Sequence, residues 1–260
     1  MHGAQGLPYP VASQADVHFA RTFEPFFSSL GVHPDLLLED IEETCKMPPA
    51  FWSQLRIEYS QLGLEPSVHL PFYGLNLGSR SNMIRAVSFR NIVSGLRIAG
   101  AVGAKLGVMH TGYIAQTPRR AMSKWVENFA PHFERLTAIA RDLGIQLLLE
   151  NTWEHDTELF ERIADTIKGE YHYCLDIGHV HSFSKVSPEK WFGLFKDRIR
   201  VIHLHDNKHH EDDHLPIGRG TIDFSFLRDL AGAEKPPRLV FEYKPRYLSE
   251  SLSYLHQLLK

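Results

Sequence analysis

Six short apolar runs in this chain end, or nearly end, on a group that can bind a metal or carry a proton. Glu150 closes LLLE, Asp176 closes YCLD, His203 lies in VIHLH, Glu242 in LVFE, His69 in VHLP and His110 in VMHTG. A buried carboxylate without a partner is very costly, and two of them near one axis repel each other. A divalent cation resolves both problems, and a donor set of imidazole nitrogens and carboxylate oxygens suits zinc or manganese better than a soft-metal centre. Any one of these residues alone has a plainer explanation, as a satisfied core histidine or an interior ion-pair partner. Six at matching positions argue for a shared ion.

Further groups extend the pattern. LDIGH sets His179 three residues beyond Asp176, and DDHLPIGRG supplies Asp212 and His214 ahead of a turn with Gly218 and Gly220, whose backbones can approach a ligand closely. His205 shares the parity of His203 along its run and is the reserve ligand, whereas His181, His209 and His210 read as outer or surface groups. The chain holds 16 histidines, and imidazole is the commonest metal ligand, so their placement carries weight.

The elements that position these groups read as eight strands alternating with helices. The strands are expected at roughly 2–9, 35–39, 67–71, 105–110, 145–150, 171–176, 199–206 and 238–243. Helical spacing fills 81–103 and 119–143, with Gly144 just past a helix end, and Ser187-Pro188 suits a helix start. No linker rich in Pro, Gly or Ser divides the chain. The expected fold is therefore α/β, a single-domain (β/α)₈ TIM barrel over residues 1–260, whose active groups gather at the carboxyl ends of the strands. The stretch 207–221, NKHHEDDHLPIGRGT, has no periodicity and follows the seventh strand, which marks it as a functional loop.

Composition narrows the function classes. A 43% hydrophobic fraction in 260 residues supplies a continuous core, and a net charge of −3 gives no global positive field to draw the chain onto nucleic acid or anionic membrane. Cys45 and Cys174 are too few for a disulfide framework and form no CxxC pair. The opening MHGAQGLPYP lacks the features of a signal peptide, and no apolar run reaches membrane-spanning length. A soluble, cytoplasmic protein is expected, with homo-oligomerisation left open.

Taken in order, HLPFYGLNLGS, MHTG, LLLEN, LDIGH, HLHDN, HLPIGRGTIDF and FEYKP resemble the xylose isomerase-like barrel superfamily, which includes sugar isomerases, epimerases and the DNA repair enzyme endonuclease IV. The resemblance implies a single-metal site of Glu150, Asp176, His203 and Glu242. It also implies that His69, His110, His179, Asp212 and His214 match the extra ligands of a three-metal cluster, so one to three divalent ions, Mn or Zn, are expected. Where endonuclease IV shows LDTCH and HLND, this chain has LDIGH and HLHD, with His205 replacing an asparagine, which favours the isomerase side.

The expected activity is a metal-dependent isomerase or epimerase acting on a sugar or sugar phosphate through a metal-stabilised enediolate. Glu150 and Glu242 are then the base and acid, His179 orients or protonates substrate, and His69, His110 and Arg219 contact it. A closed cavity sized for one monosaccharide, with negligible affinity for duplex DNA, accompanies this reading. The alternatives are an endonuclease IV-like phosphodiesterase acting on abasic DNA and a barrel that keeps its ligands without turnover.

Overall fold

The computed structural model describes residues 3–260. Eight parallel strands close in chain order into one barrel, with β8 pairing back onto β1. They are β1 (Val11–Asp16), β2 (His33–Leu37), β3 (Ser67–His69), β4 (Leu106–His110), β5 (Gln146–Glu150), β6 (His172–Asp176), β7 (Ile199–Leu204) and β8 (Arg238–Phe241). The helices around them are α1 (Ala20–Leu30), α2 (Ile41–Thr44), α3 (Pro49–Gln61), α4 (Asn82–Val102), α5 (Arg119–Asp142), α6 (Glu158–Thr166), α7 (Ile177–Phe183), α8 (Pro188–Phe195), α9 (Leu227–Leu230) and α10 (Leu248–Leu258). The single-domain barrel expected from the alternating pattern is the architecture found.

Most boundaries agree within a few residues, but the first strand does not. It was expected at 2–9, partly outside the described residues, and lies instead at Val11–Asp16. VASQAD has little apolar periodicity of its own. Hydrogen bonding to β2 on one side and β8 on the other imposes the strand, an instance of tertiary pairing overriding local preference. β2, β3, β7 and β8 also stop short of their expected ends, because the residues that follow leave the ladder to build the loops over the barrel mouth. Ser187 occupies the N-cap position of α8 with Pro188 first in the helix, yet its side chain makes no capping bond.

Side chains alternate along a strand with a period of two, and the barrel interior displays this as layers. A small apolar layer of Ala12, Val108, Leu148, Cys174, Val201 and Val240 fills the lower interior, every member at most 1% exposed. Two residues further along each chain segment stand Gln14, His110, Glu150, Asp176, His203 and Glu242. The pleat that buries the plug thus delivers the polar groups to one level at the carboxyl ends. Cys45 and Cys174 are free thiols, the first exposed and the second in the plug. No helix among the described residues is long and apolar enough to cross a membrane.

Candidate metal centre

Glu150, fully buried, is the hub. Its Oε2 lies 3.2 Å from His69 Nε2 and 3.4 Å from His110 Nε2, while Oε1 lies 3.1 Å from His203 Nδ1. His203 Nδ1 is also 3.1 Å from Glu242 Oε1 and 3.8 Å from Asp176 Oδ2. Two potential ligand groups therefore share one carboxylate: His69, His110 and Glu150, and Glu150, Asp176, His203 and Glu242. A third forms beside them, where Asp212 Oδ2 is 3.2 Å from both His179 Nε2 and His214 Nε2, with His205 next to it. Within each group one donor atom per residue lies within 4.8 Å of every other.

All nine residues singled out as ligands are brought together at one end of the barrel. The donor chemistry fits divalent ions on two observations. Glu150 Oε2, Asp176 Oδ2 and Asp212 Oδ1 are buried without a hydrogen-bond partner, an arrangement that costs free energy unless a cation or a proton answers it. Three imidazoles are also pre-set by backbone carbonyls: Nδ1 of His69, His179 and His214 bonds Leu70 O at 3.1 Å, Asn151 O at 2.9 Å and Glu242 O at 2.6 Å. Donation from Nδ1–H directs Nε2 toward the carboxylates, where it can ligate an ion once any proton it carries has left.

The electrostatics describe the same cluster with protons in place of metal. Burial pushes the Glu150 and Glu242 carboxyls up, but the attraction of His203 outweighs it and holds both below the usual carboxylate range. Burial drives His110 down to about 3, so it stays neutral. Burial also opposes protonation of His214, yet its hydrogen bond to Asp212 and nearby carboxylates raise it to about 9. His179 is raised well above its ordinary value, against burial, by Asp176 and Asp212. Imidazolium charge thus balances the carboxylates.

Positioning falls to residues that the sequence reading passed over. The Asn151 side chain clamps the strand end of β6, donating to Asp176 O at 2.9 Å and accepting from Asp176 N at 2.8 Å. Gln14 Nε2 donates to Glu242 Oε1 at 2.7 Å. Asp206, fully buried, accepts from the backbone N–H of Asn207, Gly218, Gly220 and Ile222 and so folds the loop bearing Asp212 and His214 back over the barrel. His181 bonds Asn207 Oδ1 rather than the ligand groups.

Above the centre lies a cavity of about 700 Å³, whose walls include His69, His110, His179, Asp212, His214 and Glu242 together with Phe72, Tyr113 and Trp153. Among the described residues no Lys or Arg lines it. Glu150 is not part of the wall; it sits beneath the imidazoles. Two expectations are corrected. Arg219 does not reach the cavity: its guanidinium pairs with Glu250 through two 2.7 Å bonds on the outer surface and lies over Tyr247. The cavity is not closed: its lining includes Tyr73, Ile114 and Trp153, which are 66%, 55% and 50% exposed.

This fold and ligand arrangement place the chain in a known class. The family profile for xylose isomerase-like TIM barrels matches residues 23–258, and the chain belongs to that family. Its relatives include proteins described as endonuclease 4, and its structural neighbours include an epimerase-like protein. A protein of Oceanobacillus iheyensis described as a probable endonuclease 4 is 27% identical over 188 residues, 63% of this chain and 60% of that one. A Thermus thermophilus protein whose structure was obtained after soaking with ZnCl2 superposes with a TM-score of 0.82 at 26% identity, covering 96% of this chain and 97% of the other. A D-tagatose 3-epimerase-like protein shares the fold with a TM-score of 0.76 at 22% identity, covering 96% and 100%. The chain spans 60% to 66% of the length of the first curated relatives it matches.

Proposed function

We propose that this chain is a metal-dependent isomerase acting on a sugar, with Mn or Zn at the strand ends. The observation that carries the reading is the cavity wall: carboxylate, imidazole and aromatic groups surround the candidate centre, and no Lys or Arg is present to hold a phosphate or a polynucleotide backbone. Aromatic faces suit the apolar sides of a sugar ring, and the same wall favours a substrate without phosphate.

Glu150, Asp176, His203 and Glu242 would hold one ion, and His69 and His110 with Glu150 a second. Bound there, a divalent cation supplies Lewis-acid polarisation of substrate oxygens and stabilises developing negative charge. Of the two carboxylates expected to share the proton work, only Glu242 lines the cavity. Glu242 therefore removes the proton next to the substrate carbonyl, with Gln14 fixing its orientation. Glu150 is assigned to ligation. A single accessible base favours isomerisation, in which the proton leaves and returns on one face, over two-base epimerisation. The test is deuterium exchange: the metal-loaded protein, incubated with a panel of ketoses in D2O, is expected to introduce deuterium beside the carbonyl of one of them.

A second reading, hydrolysis of a phosphodiester in abasic DNA, is favoured by one specific observation. All nine donors of a three-ion set are present in three adjoining groups, and several ions close together suit phosphoester cleavage. The endonuclease 4 relatives point the same way. Strand scission at an abasic site, with no deuterium exchange into any ketose, would establish this reading in place of the first.

A further inference from the structure

His203 on β7 is followed two residues later, just past the strand end, by a second histidine of the same parity, His205. His205 is fully buried, and its Nε2 stands 3.2 Å from Asp176 Oδ1 and 3.5 Å from Asp212 Oδ1. Its ring lies parallel to that of His214 with centroids 4.0 Å apart. Its donor atom falls within 4.8 Å of those of His179, Asp212 and His214. The facing oxygen, Asp212 Oδ1, is buried and has no hydrogen-bond partner, and neither has Nδ1 of His205 itself. Among the described residues no backbone carbonyl accepts a hydrogen bond from this Nδ1 to explain why a histidine stands here.

The neighbouring backbone is shaped to admit this ring. A Cβ on Gly178 would lie 2.0 Å from His205 Cε1 and 2.2 Å from Nε2, so any larger residue at 178 would push the imidazole out. Gly178 and His205 are therefore a matched pair within LDIGH and HLHDN, the two motifs in which this chain departs from the LDTCH and HLND of endonuclease IV.

We propose that His205 is a fourth protein donor to the ion of the His179–Asp212–His214 group, completing a shell of three imidazoles and one carboxylate. The proposal rests on the reading that these groups hold metal ions. Four protein donors fill a tetrahedral zinc shell, as in structural sites, whereas catalytic sites keep a position open. This ion is then a structural one. It ties the loop after β7 to α7, and the chemistry falls to the two ion positions that share Glu150. The competing role for His205 is a hydrogen bond that merely orients Asp176 toward the ion on His203.

The direct test is anomalous diffraction from zinc-loaded crystals of the wild-type protein. His205 is expected at about 2.0–2.1 Å from the third ion, the usual Zn–N distance; a separation beyond hydrogen-bond range overturns the proposal. In solution, His205→Asn is expected to keep two ions and to lose the third. Its affinity for that ion should fall by more than the 10- to 100-fold typical of outer partners of a ligand. The retained ions report that the variant is folded. Gly178→Ala, which leaves every donor in place and crowds only the ring, should give the same single-ion loss. In a background of Asp212→Asn, which is itself expected to lose the third ion, adding His205→Asn should change nothing further. If the double variant instead holds its remaining ions more weakly, His205 serves Asp176 and the proposal fails. Wild-type protein that binds no zinc would overturn the metal reading itself, an outcome distinct from three ions retained in His205→Asn, which overturns only the role of His205.

Discussion

Gln14 on β1 and Glu242 just after β8 are 228 positions apart and joined by a 2.7 Å hydrogen bond across the barrel seam, the amide Nε2 donating to carboxylate Oε1. That bond holds the one proposed base in a fixed rotamer at the cavity wall. Glu242→Gln preserves shape and can re-pair amide to amide, so the variant is expected to fold with a thermal midpoint close to the parent. Its turnover should fall by about 10²- to 10⁴-fold, the usual contribution of a general base. Steady-state kinetics showing retained activity would remove Glu242 from the reaction.

Elemental analysis of the purified protein is expected to give more than one divalent ion per chain. Anomalous maps should place Glu150, Asp176, His203 and Glu242 about 2.0–2.2 Å from one of them. The four donor atoms already converge in that sense. A single ion, or ions away from the strand ends, would contradict the arrangement.

Metal uptake should depend on pH in a direction set by His214. Its hydrogen bond to Asp212 raises it to about 9, so at neutral pH the imidazole is protonated and must lose that proton before it ligates. Affinity for the third ion is therefore expected to rise with pH up to about 9, by roughly tenfold per unit for each proton released, His179 being raised as well. Titration calorimetry in buffers of different ionisation enthalpy measures the proton count. In metal-free protein the sign is opposite for stability: with the folded value above 6.5, the pairing of His214 with Asp212 is fully present below pH 6.5 and is lost as pH rises through about 9.

Asp206→Ala strips the acceptor from four backbone N–H groups in the loop between Asn207 and Ile222. A destabilisation of about 3 kcal/mol or more is expected in chemical denaturation, since buried donors left unmade cost about 1–3 kcal/mol each and some will find water. Asp206→Asn, which keeps one oxygen, should fall between. A wild-type midpoint for Asp206→Ala would mean that the loop is held by something else.

Duplex DNA carrying an abasic analogue is expected to bind negligibly at moderate salt, because among the described residues no Lys or Arg lines the cavity. Each phosphate neutralised by Lys or Arg would contribute a slope of about −0.9 in log affinity against log salt. Fluorescence anisotropy giving tight binding with a steep slope would favour the hydrolytic reading.

The gathering of Glu150, Asp176, His203, Glu242, His69 and His110 at one end of the barrel was readable in the sequence because each ends or nearly ends an apolar run, and a period of two lets the run itself say which way the last side chain points. Where that signal is absent, so was the reading. VASQAD carries no apolar pattern, so β1 was placed too early and Gln14 was passed over with it. Arg219 was expected to contact substrate, but its partner Glu250 lies on α10, 31 residues later, and only the return of that helix brings them together. Asp206 adjoins a quoted histidine, yet its work lies in N–H groups up to 16 positions downstream, which no local spacing announces. Gly178 likewise becomes meaningful only once His205 is seen against it.

The apolar plug of Ala12, Val108, Leu148, Cys174, Val201 and Val240 makes the barrel a vessel with a sealed floor. An ion seated on Glu150 would then leave upward past His69, His110 and Glu242, through the mouth that a substrate would use. Occupants of the cleft would act as a stopper, so bound ligand should slow the escape of the deep ions to a chelator without touching them. Metal exchange and catalytic traffic would share a single doorway and compete for passage through it.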